Sequence, residues 1–205
     1  MRLVEMVHLT AHAHKKPGEL SGGMKQRVGI ARAFAADPDV LLLDEPFGAL
    51  DNVTRSKIHA EFKALDELKR KTIIMVTHDV QEAFELGDRI CLMDKGRIIQ
   101  SGTPADLLFN PVNDFVKGFL EHQRLQLEFK TIKLNDLWEL LPELHKEINA
   151  LSFSVDISLW EALESFKFNV GETINISKDQ NQIKTAGFEQ LMSAFYQYKN
   201  KQSHE

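Results

Sequence analysis

One short segment constrains the fold of this chain more than any other, because it joins a fully apolar run to two carboxylates. Val40 to Leu43 reads VLLL and is followed at once by Asp44 and Glu45. An unbroken apolar run of this length is typical of a strand in a parallel sheet, where helices cover both faces. The segment therefore predicts an α/β fold, with a strand that is buried on both sides and ends in two acidic residues.

The position of these two carboxylates suggests chemistry. Open α/β sheets bind their ligands at the carboxyl ends of the strands, which is where Asp44 and Glu45 are predicted to lie. Adjacent carboxylates at the end of a dry strand are unfavourable unless a cation or hydrogen bonds compensate them. An Asp that holds Mg²⁺ and a Glu that polarises water would make the pair useful in catalysis. A structural ion-pair site is the alternative interpretation.

A glycine pair precedes the strand, at the start of a predicted helix. Ser21 is a residue type favoured at helix N-caps, and the run Met24 to Ala36 is rich in helix formers. Gly22 and Gly23 allow backbone N–H groups to approach a ligand closely, and a helix N-terminus carries partial positive charge. This combination suits an anion such as phosphate, although an ordinary capped helix gives the same pattern.

Two further residues complete the set of candidates. A tight turn after the first strand ends in Asp51, and a second apolar strand, predicted at Thr72 to Val76, is followed by His78. A histidine at the carboxyl end of a strand is able to contact a γ-phosphate or an attacking water. Taken alone, it is more often a hydrogen-bonded structural residue.

Together and in this order, these segments closely resemble the ATPase subunits of ABC transporters. Leu20 to Gly23 matches the signature motif, and Val40 to Glu45 matches the Walker B strand. Gly48 to Asp51 matches the D-loop, and His78 matches the switch histidine. The resemblance covers residues from about 1 to 122. Within the family, MKQRVGIARA and GDRI…GRIIQSGTP are most similar to the glycine betaine and choline importers, which transport osmoprotectants.

The resemblance implies a role for each matching residue. Two such subunits would sandwich two ATP molecules, with the signature of one facing the γ-phosphate held by the other. Asp44 would hold Mg²⁺ through water, Glu45 would act as general base or orient the water, and His78 would contact the γ-phosphate. Asp51 would couple the two sites across the interface. The residues implied to bind nucleotide in trans are Ser21, Gly22, Gly23 and Gln26.

The sequence departs from the family in one important respect, since it contains no G-x-x-x-x-G-K-[ST] motif. That motif marks the loop that cradles the phosphates. Without its lysine and Ser/Thr, the chain would lack its main grip on the β- and γ-phosphates and one Mg²⁺ ligand. We therefore expect a partial P-loop NTPase domain that lacks the P-loop strand, with Met1 an internal start of a longer subunit, and no ATP hydrolysis by this chain alone.

A second, smaller α+β domain is predicted after the ATPase part, because the composition changes near residue 125. The predicted domains are 1–122, the C-terminal part of an ABC ATPase domain, and 123–205. The order helix, strand, turn, strand, helix in the second domain resembles one degenerate CBS-type regulatory repeat. An unspecialised C-terminal extension is the alternative. The predicted elements are a broken helix at 134–148, a helix at Ser158 to Phe166, strands at Glu172 to Ser177 and Ile183 to Phe188, and a helix at Glu189 to Tyr198.

Charge and hydropathy exclude some classes of function. The net charge of −5 argues against a broad nucleic-acid-binding surface. The single cysteine, Cys91, has no partner for an internal disulfide. No apolar segment approaches the roughly 20 residues that cross a membrane, so association with the cytoplasmic face of the membrane is expected to be peripheral, through transmembrane permease subunits.

These observations favour an ATP-binding, ATP-hydrolysing subunit of an ABC importer for glycine betaine, choline or a similar quaternary amine, working as a homodimer with ATP and Mg²⁺. The alternative is a non-hydrolysing binding or regulatory protein that donates its signature motif to an intact partner. The missing P-loop favours this alternative, whereas the intact set Asp44, Glu45 and His78 opposes it. An ABC-type DNA-repair ATPase would need long heptad-patterned arms, which the short predicted helices do not provide.

Overall fold

The computed structural model of the chain describes residues 2–48, 50–64, 71–143, 150–167, 173–179 and 182–202. The chain divides into two compact units, residues 1–82 and residues 83–205. The α-helices are α1 (Arg2–Met6), α2 (Gly22–Ala35), α3 (Asn52–Ala64), α4 (Val80–Leu86), α5 (Pro104–Phe109), α6 (Asp114–Glu121), α7 (Arg124–Thr131), α8 (Leu134–Leu137), α9 (Leu159–Ser165) and α10 (Phe188–Gln202). The strands are β1 (Val40–Asp44), β2 (Thr72–Val76), β3 (Ile90–Asp94), β4 (Arg97–Gly102), β5 (Leu151–Ser154), β6 (Thr173–Ser177) and β7 (Ile183–Gly187).

The first unit contains the two strands that the apolar runs predict. β1 and β2 pair in parallel, with Asp44 opposite Val76, so both strands end at the same edge. Leu41 and Leu43 point inward and are buried, as is Phe47 just beyond the strand. The mixed α/β class is therefore confirmed, and the two predicted strands lie within a residue of their expected bounds.

The prediction that β1 is buried on both faces is wrong for the part of the chain that the structure describes. Burial alternates along the strand, and the side chain of Leu42 is 73% exposed. Val40, Ile74 and Val76 are exposed beside it. We call these four side chains the open face of the sheet. The apolar composition of β1 predicts a strand with both faces buried, but only the face with Leu41 and Leu43 is packed among the described residues.

The helices of the first unit follow their sequence signals. Helix α2 begins at Gly22, two residues before the predicted run, because Ser21 caps it as expected. The spacing of the apolar residues Ile58, Phe62 and Leu65 predicts a helix from Val53 to Lys69. Helix α3 confirms its first part, and residues 65–70 lie outside the described residues. No helix among the described residues is both long and apolar enough to cross a bilayer.

In the second unit, the turn sequence Asp94-Lys95-Gly96 between two apolar runs predicts a β-hairpin, and the structure contains it. β3 and β4 are antiparallel, and the turn between them places Lys95 and Gly96 at positive φ, 47° and 74°. Helix α5 begins with a capping box between Thr103 and Asp106. Here the local turn and cap residues were sufficient to predict the structure.

The remainder of the second unit is a three-stranded sheet in the order β5–β6–β7. β6 and β7 confirm the predicted antiparallel pair, and α9 and α10 confirm the helices on either side of it. The sequence did not reveal β5, which pairs in parallel with β6. The broken helix predicted at 134–148 is wrong between residues 138 and 143: after α8, a 3-10 turn runs from Trp138 to Leu140 and the chain then extends, while 144–149 lie outside the described residues.

Helices and sheet of this unit share one apolar core. It contains Leu134, Leu159, Ile176 and Phe195, all fully buried. One carboxylate is also fully buried: Glu128 receives Arg124 at 2.9 Å and Lys199 at 2.8 Å, which compensates its charge. The division of the chain at residues 82 and 83 follows packing, so the predicted sequence boundary at residue 122 and the CBS-type repeat stay predictions.

Candidate functional site

The N-terminus of α2 presents the glycine pair in the way the sequence suggests. The Ser21 hydroxyl accepts a hydrogen bond from the Met24 N–H at 3.3 Å. Ser21 and Gly22 are exposed, and a Cβ atom added at Gly22 would meet nothing within 4 Å. The first turn of the helix is therefore open to an approaching ligand, and its N–H groups favour an anion.

Glu45 leaves β1 in an unusual backbone conformation. Its φ is +45°, in the left-handed region that costs a non-glycine residue about 1–3 kcal/mol and is frequent at functional sites. Its N–H donates to the Val76 carbonyl at 2.9 Å, and its own carbonyl accepts from the Gly48 N–H at 3.3 Å. The chain therefore turns sharply at Glu45 and sends its side chain away from the strand.

The side chain of Glu45 meets the predicted histidine. Glu45 Oε1 lies 2.7 Å from His78 Nδ1, and the two side chains are 38% and 80% exposed. The hydrogen bond and the charge of Glu45 raise the pKa of His78, and Asp79 and Glu82 add smaller contributions in the same direction. β1 and β2 thus bring together two residues that are 33 positions apart in the sequence.

Gln26 belongs to the same cluster, which the sequence did not suggest. Its side-chain Nε2 donates to the main-chain carbonyl of Glu45 at 2.5 Å. Asp51, in contrast, has a capping role among the described contacts, because its carboxylate accepts the Thr54 N–H at 3.0 Å near the start of α3. Glu45 therefore contacts both other residues of the cluster, Gln26 through its main chain and His78 through its carboxylate.

Comparison with known proteins shows what the chain is similar to. Residues 1–48 match the family model described as ABC transporter. The choline transport ATP-binding protein OpuBA of Bacillus subtilis is 48% identical over 125 residues, which are 61% of this chain and 32% of that protein. The chain is a relative of ABC transporter ATP-binding proteins.

Two more relatives extend the comparison. The osmoprotectant import ATP-binding protein OsmV of Salmonella typhimurium is 42% identical over 142 residues, 68% of this chain and 37% of that protein. The carnitine transport ATP-binding protein OpuCA of Listeria monocytogenes is 40% identical over 183 residues, 89% of this chain and 44% of that protein. The chain thus covers 32% to 44% of the length of these three curated relatives.

A solved structure is also similar to this chain. It is a dimeric post-hydrolysis state of the ATP-binding cassette MJ0796 bound to ADP and Pi, with 40% sequence identity and a TM-score of 0.46. The match covers 50% of this chain and 44% of the cassette.

The residues of this chain are suited to binding Mg²⁺ only if a bound nucleotide supplies further ligands. Asp44 is exposed at the end of β1, and the described part of the chain holds no group of three or more His, Cys, Asp or Glu side chains suited to a metal. Mg²⁺ commonly binds through one or two carboxylates together with substrate phosphates and water. A single aspartate beside bound phosphates fits that pattern.

Two ion pairs join α3 to residues that follow the end of β2, and the sequence did not reveal them. Arg55 Nη1 reaches Asp79 Oδ2 at 2.9 Å, while its Nη2 donates to the Leu50 carbonyl at 3.1 Å. Deeper in the unit, His59 Nε2 lies 3.2 Å from Glu82 Oε1, with both side chains buried. Each pair spans more than 20 residues of sequence, so no local pattern could have predicted it.

The contact between Glu45 and His78 predicts a measurable titration. The proton NMR signal of His78, identified by its loss in His78→Gln, should titrate with a pKa above the ordinary histidine value of about 6.5. Because the folded pKa is raised, the contact adds stability that is complete below pH 6.5 and is lost as the pH rises through the pKa of the folded chain. Glu45→Gln should lower the His78 pKa towards 6.5, and a wild-type pKa at or below 6.5 would contradict the contact.

Proposed function

We propose that this chain forms part of the ATP-hydrolysing subunit of an ABC importer for glycine betaine, choline or a similar quaternary amine. The observation that carries the proposal is the pairing of Glu45 with His78 at 2.7 Å, where β1 and β2 end side by side. The names of the relatives support the solute class, since those proteins transport choline, carnitine or other osmoprotectants.

Each residue of the site then has a chemical task. A water near Glu45 would be oriented by its carboxylate for attack on the γ-phosphate, and the carboxylate would accept the proton of that water. His78, with its raised pKa, would donate a hydrogen bond to the γ-phosphate oxygens and favour their negative charge. Mg²⁺ held near Asp44 would neutralise charge on the β- and γ-oxygens.

The glycine pair would act on a second nucleotide. The open first turn of α2, with Ser21, Gly22 and Gly23, suits the γ-phosphate of an ATP that a partner subunit holds in its P-loop. Asp51 would couple the two sites, and transmembrane permease subunits would hold the assembly at the cytoplasmic face of the membrane.

A second candidate function is a binding or regulatory role without hydrolysis. It is favoured by one observation, the open first turn of α2 at Gly22, where an added Cβ would meet nothing within 4 Å, because this turn is able to serve a partner's nucleotide whatever chemistry this chain performs. In this case the chain would lend its signature helix to a partner that carries the P-loop. The two functions differ in whether Glu45 of this chain is needed for turnover.

The importer function is tested by solute uptake in the native cell. Deleting the gene for this chain should strongly reduce uptake of labelled glycine betaine or choline, and the wild-type gene should restore it. Gly22→Asp should fail to restore it, with uptake at least about tenfold lower, because a carboxylate some 4 Å from a phosphate is repelled by several kcal/mol. An added Cβ meets nothing at Gly22, so this variant is expected to fold.

Gly118→Asp is the matched control for this test. Gly118 lies exposed in helix α6 of the second unit, and a Cβ there also meets nothing within 4 Å. It should restore uptake fully. Normal uptake of both solutes in the deletion strain, or full restoration by Gly22→Asp, would rule out the importer function.

A further inference from the structure

The side chain of Gln26 connects two parts of the site that serve different nucleotides in the proposed function. Gln26 lies in the second turn of α2, five residues after the Ser21 cap. Its amide nitrogen reaches the Glu45 carbonyl at 2.5 Å, across 19 residues of sequence. The helix that presents the glycine pair is thereby bonded to the main chain of the residue that faces water and the γ-phosphate.

This hydrogen bond acts on the backbone of Glu45, where the conformation is least favourable. Glu45 has a φ of +45°, which an L-residue keeps only when its surroundings hold it there. Its N–H is held by Val76 at 2.9 Å, whereas the Gly48 N–H is a longer partner for its carbonyl, at 3.3 Å. A carbonyl accepts two hydrogen bonds, and the side chain of Gln26 supplies the second one.

The conformation of this backbone decides where the carboxylate points. With the peptide groups on both sides of Glu45 held in place, Oε1 reaches His78 Nδ1 at 2.7 Å. The other carboxylate oxygen, Oε2, lies beside Gly48, where even an added Cβ atom would be at 3.5 Å from it. Rotation of the Glu45 peptide would therefore move the carboxylate away from His78.

We propose that Gln26 is a positioning residue, which fixes the Glu45 backbone so that its carboxylate meets His78, and which links α2 to this site within one chain. The sequence resemblance implied a different role, contact with the nucleotide of a partner. The functional significance of this link rests on the proposed function. A phosphate that binds at the N-terminus of α2 would shift the helix, and the hydrogen bond of Gln26 would transmit that shift to Glu45. The positioning itself requires only the chain.

The test is the titration of His78 in Gln26→Met. Methionine has a similar length and helix propensity but no N–H donor, so the variant removes the hydrogen bond and keeps the helix. The pKa of His78 should fall from its wild-type value towards that of Glu45→Gln, which lacks the carboxylate altogether. Asp79 and Glu82 also raise this pKa, and both variants leave them in place.

Gln197→Met is the matched control, since Gln197 is exposed on α10 and its described side-chain contact is with Ser193. It should titrate as wild type does. The proposal is overturned if His78 titrates identically in folded Gln26→Met and in wild type. If Gln26→Met does not fold, Gln26→Asn takes its place, because its amide is one methylene too short to reach Glu45; an unchanged His78 pKa in that variant is equally fatal.

This measurement is independent of the uptake test. It uses the purified chain without nucleotide or partner. If the uptake test ruled out the importer function, the titration would therefore still decide whether Gln26 positions Glu45. In the hydrolysing complex, Gln26→Met should lower kcat with little change in the KM for ATP, because Gln26 acts through Glu45. A raised KM with unchanged kcat would instead support the nucleotide contact implied by the resemblance, and would overturn the positioning role.

Discussion

Glu45→Gln should lower ATP turnover by about 10²- to 10⁴-fold in the transporter complex that the proposed function requires, because this is the usual contribution of a general base. Glutamine keeps the size of the side chain and can still hydrogen-bond to His78, but it cannot accept a proton from water. Bound ATP should therefore accumulate unhydrolysed. Phosphate release and the amount of ATP retained by the isolated complex measure the two effects.

The control for the Glu45→Gln measurement is a variant that changes an amide side chain elsewhere in the chain. Gln197→Met, on the exposed side of α10, should leave both turnover and retained ATP at the wild-type level. A complex with Glu45→Gln that turns over ATP near the normal rate would show that Glu45 is not the base. That result would favour the binding or regulatory function, in which the carboxylate of this chain performs no chemistry.

Phe195→Ala should destabilise the second unit by about 3–5 kcal/mol, the range for removing a large buried aromatic side chain. Phe195 is fully buried, and its ring meets Phe129 at 4.9 Å in an edge-on arrangement. Such a loss is a large fraction of the 5–15 kcal/mol by which whole domains are stable. Both tryptophans of the chain, Trp138 and Trp160, lie in this unit, so urea unfolding followed by their fluorescence reports it directly.

The neighbouring residue provides the control for this measurement. Tyr196 is 54% exposed on the same helix, so Tyr196→Ala should change the free energy of unfolding by about 1 kcal/mol or less. Equal losses from the two substitutions would mean that Phe195 is not a core residue and that α10 packs through a different face.

The sequence predicted the local structure around the candidate site wherever short-range patterns are informative. The helix cap at Ser21, the two apolar strands and the hairpin at residues 95 and 96 each depend on residues that are close in sequence. The resemblance to ABC ATPases then predicted that Glu45 and His78 share a site, and the parallel pairing of β1 and β2 does bring them together. Their catalytic roles stay predictions until turnover is measured.

What the sequence could not predict depends on contacts between distant residues. The amide of Gln26 has the same appearance in the sequence whether it meets a nucleotide or the Glu45 carbonyl. The buried pair His59 and Glu82 is equally invisible, because neither residue marks a motif. β5 was missed since its four residues, LSFS, alternate weakly and gain their structure by pairing with β6.

The burial of β1 illustrates a different limit. Hydropathy records which side chains are suited to an apolar environment, and it does not record whether something packs against them. Leu41 and Leu42 are the same amino acid, yet the first is buried and the second is largely exposed. Composition alone therefore predicted the strand correctly, but it predicted burial correctly for only one of the two faces of the strand.

The open face of the first unit, formed by Val40, Leu42, Ile74 and Val76, bears on how the chain behaves in solution. An exposed apolar surface of β-branched and leucine side chains favours association with other such surfaces, and the fraction of associated protein rises with protein concentration by mass action. The net charge of −5 opposes this self-association only weakly once salt screens it. Solubility should therefore fall with added salt and recover at low ionic strength, in a folded chain whose two units remain intact.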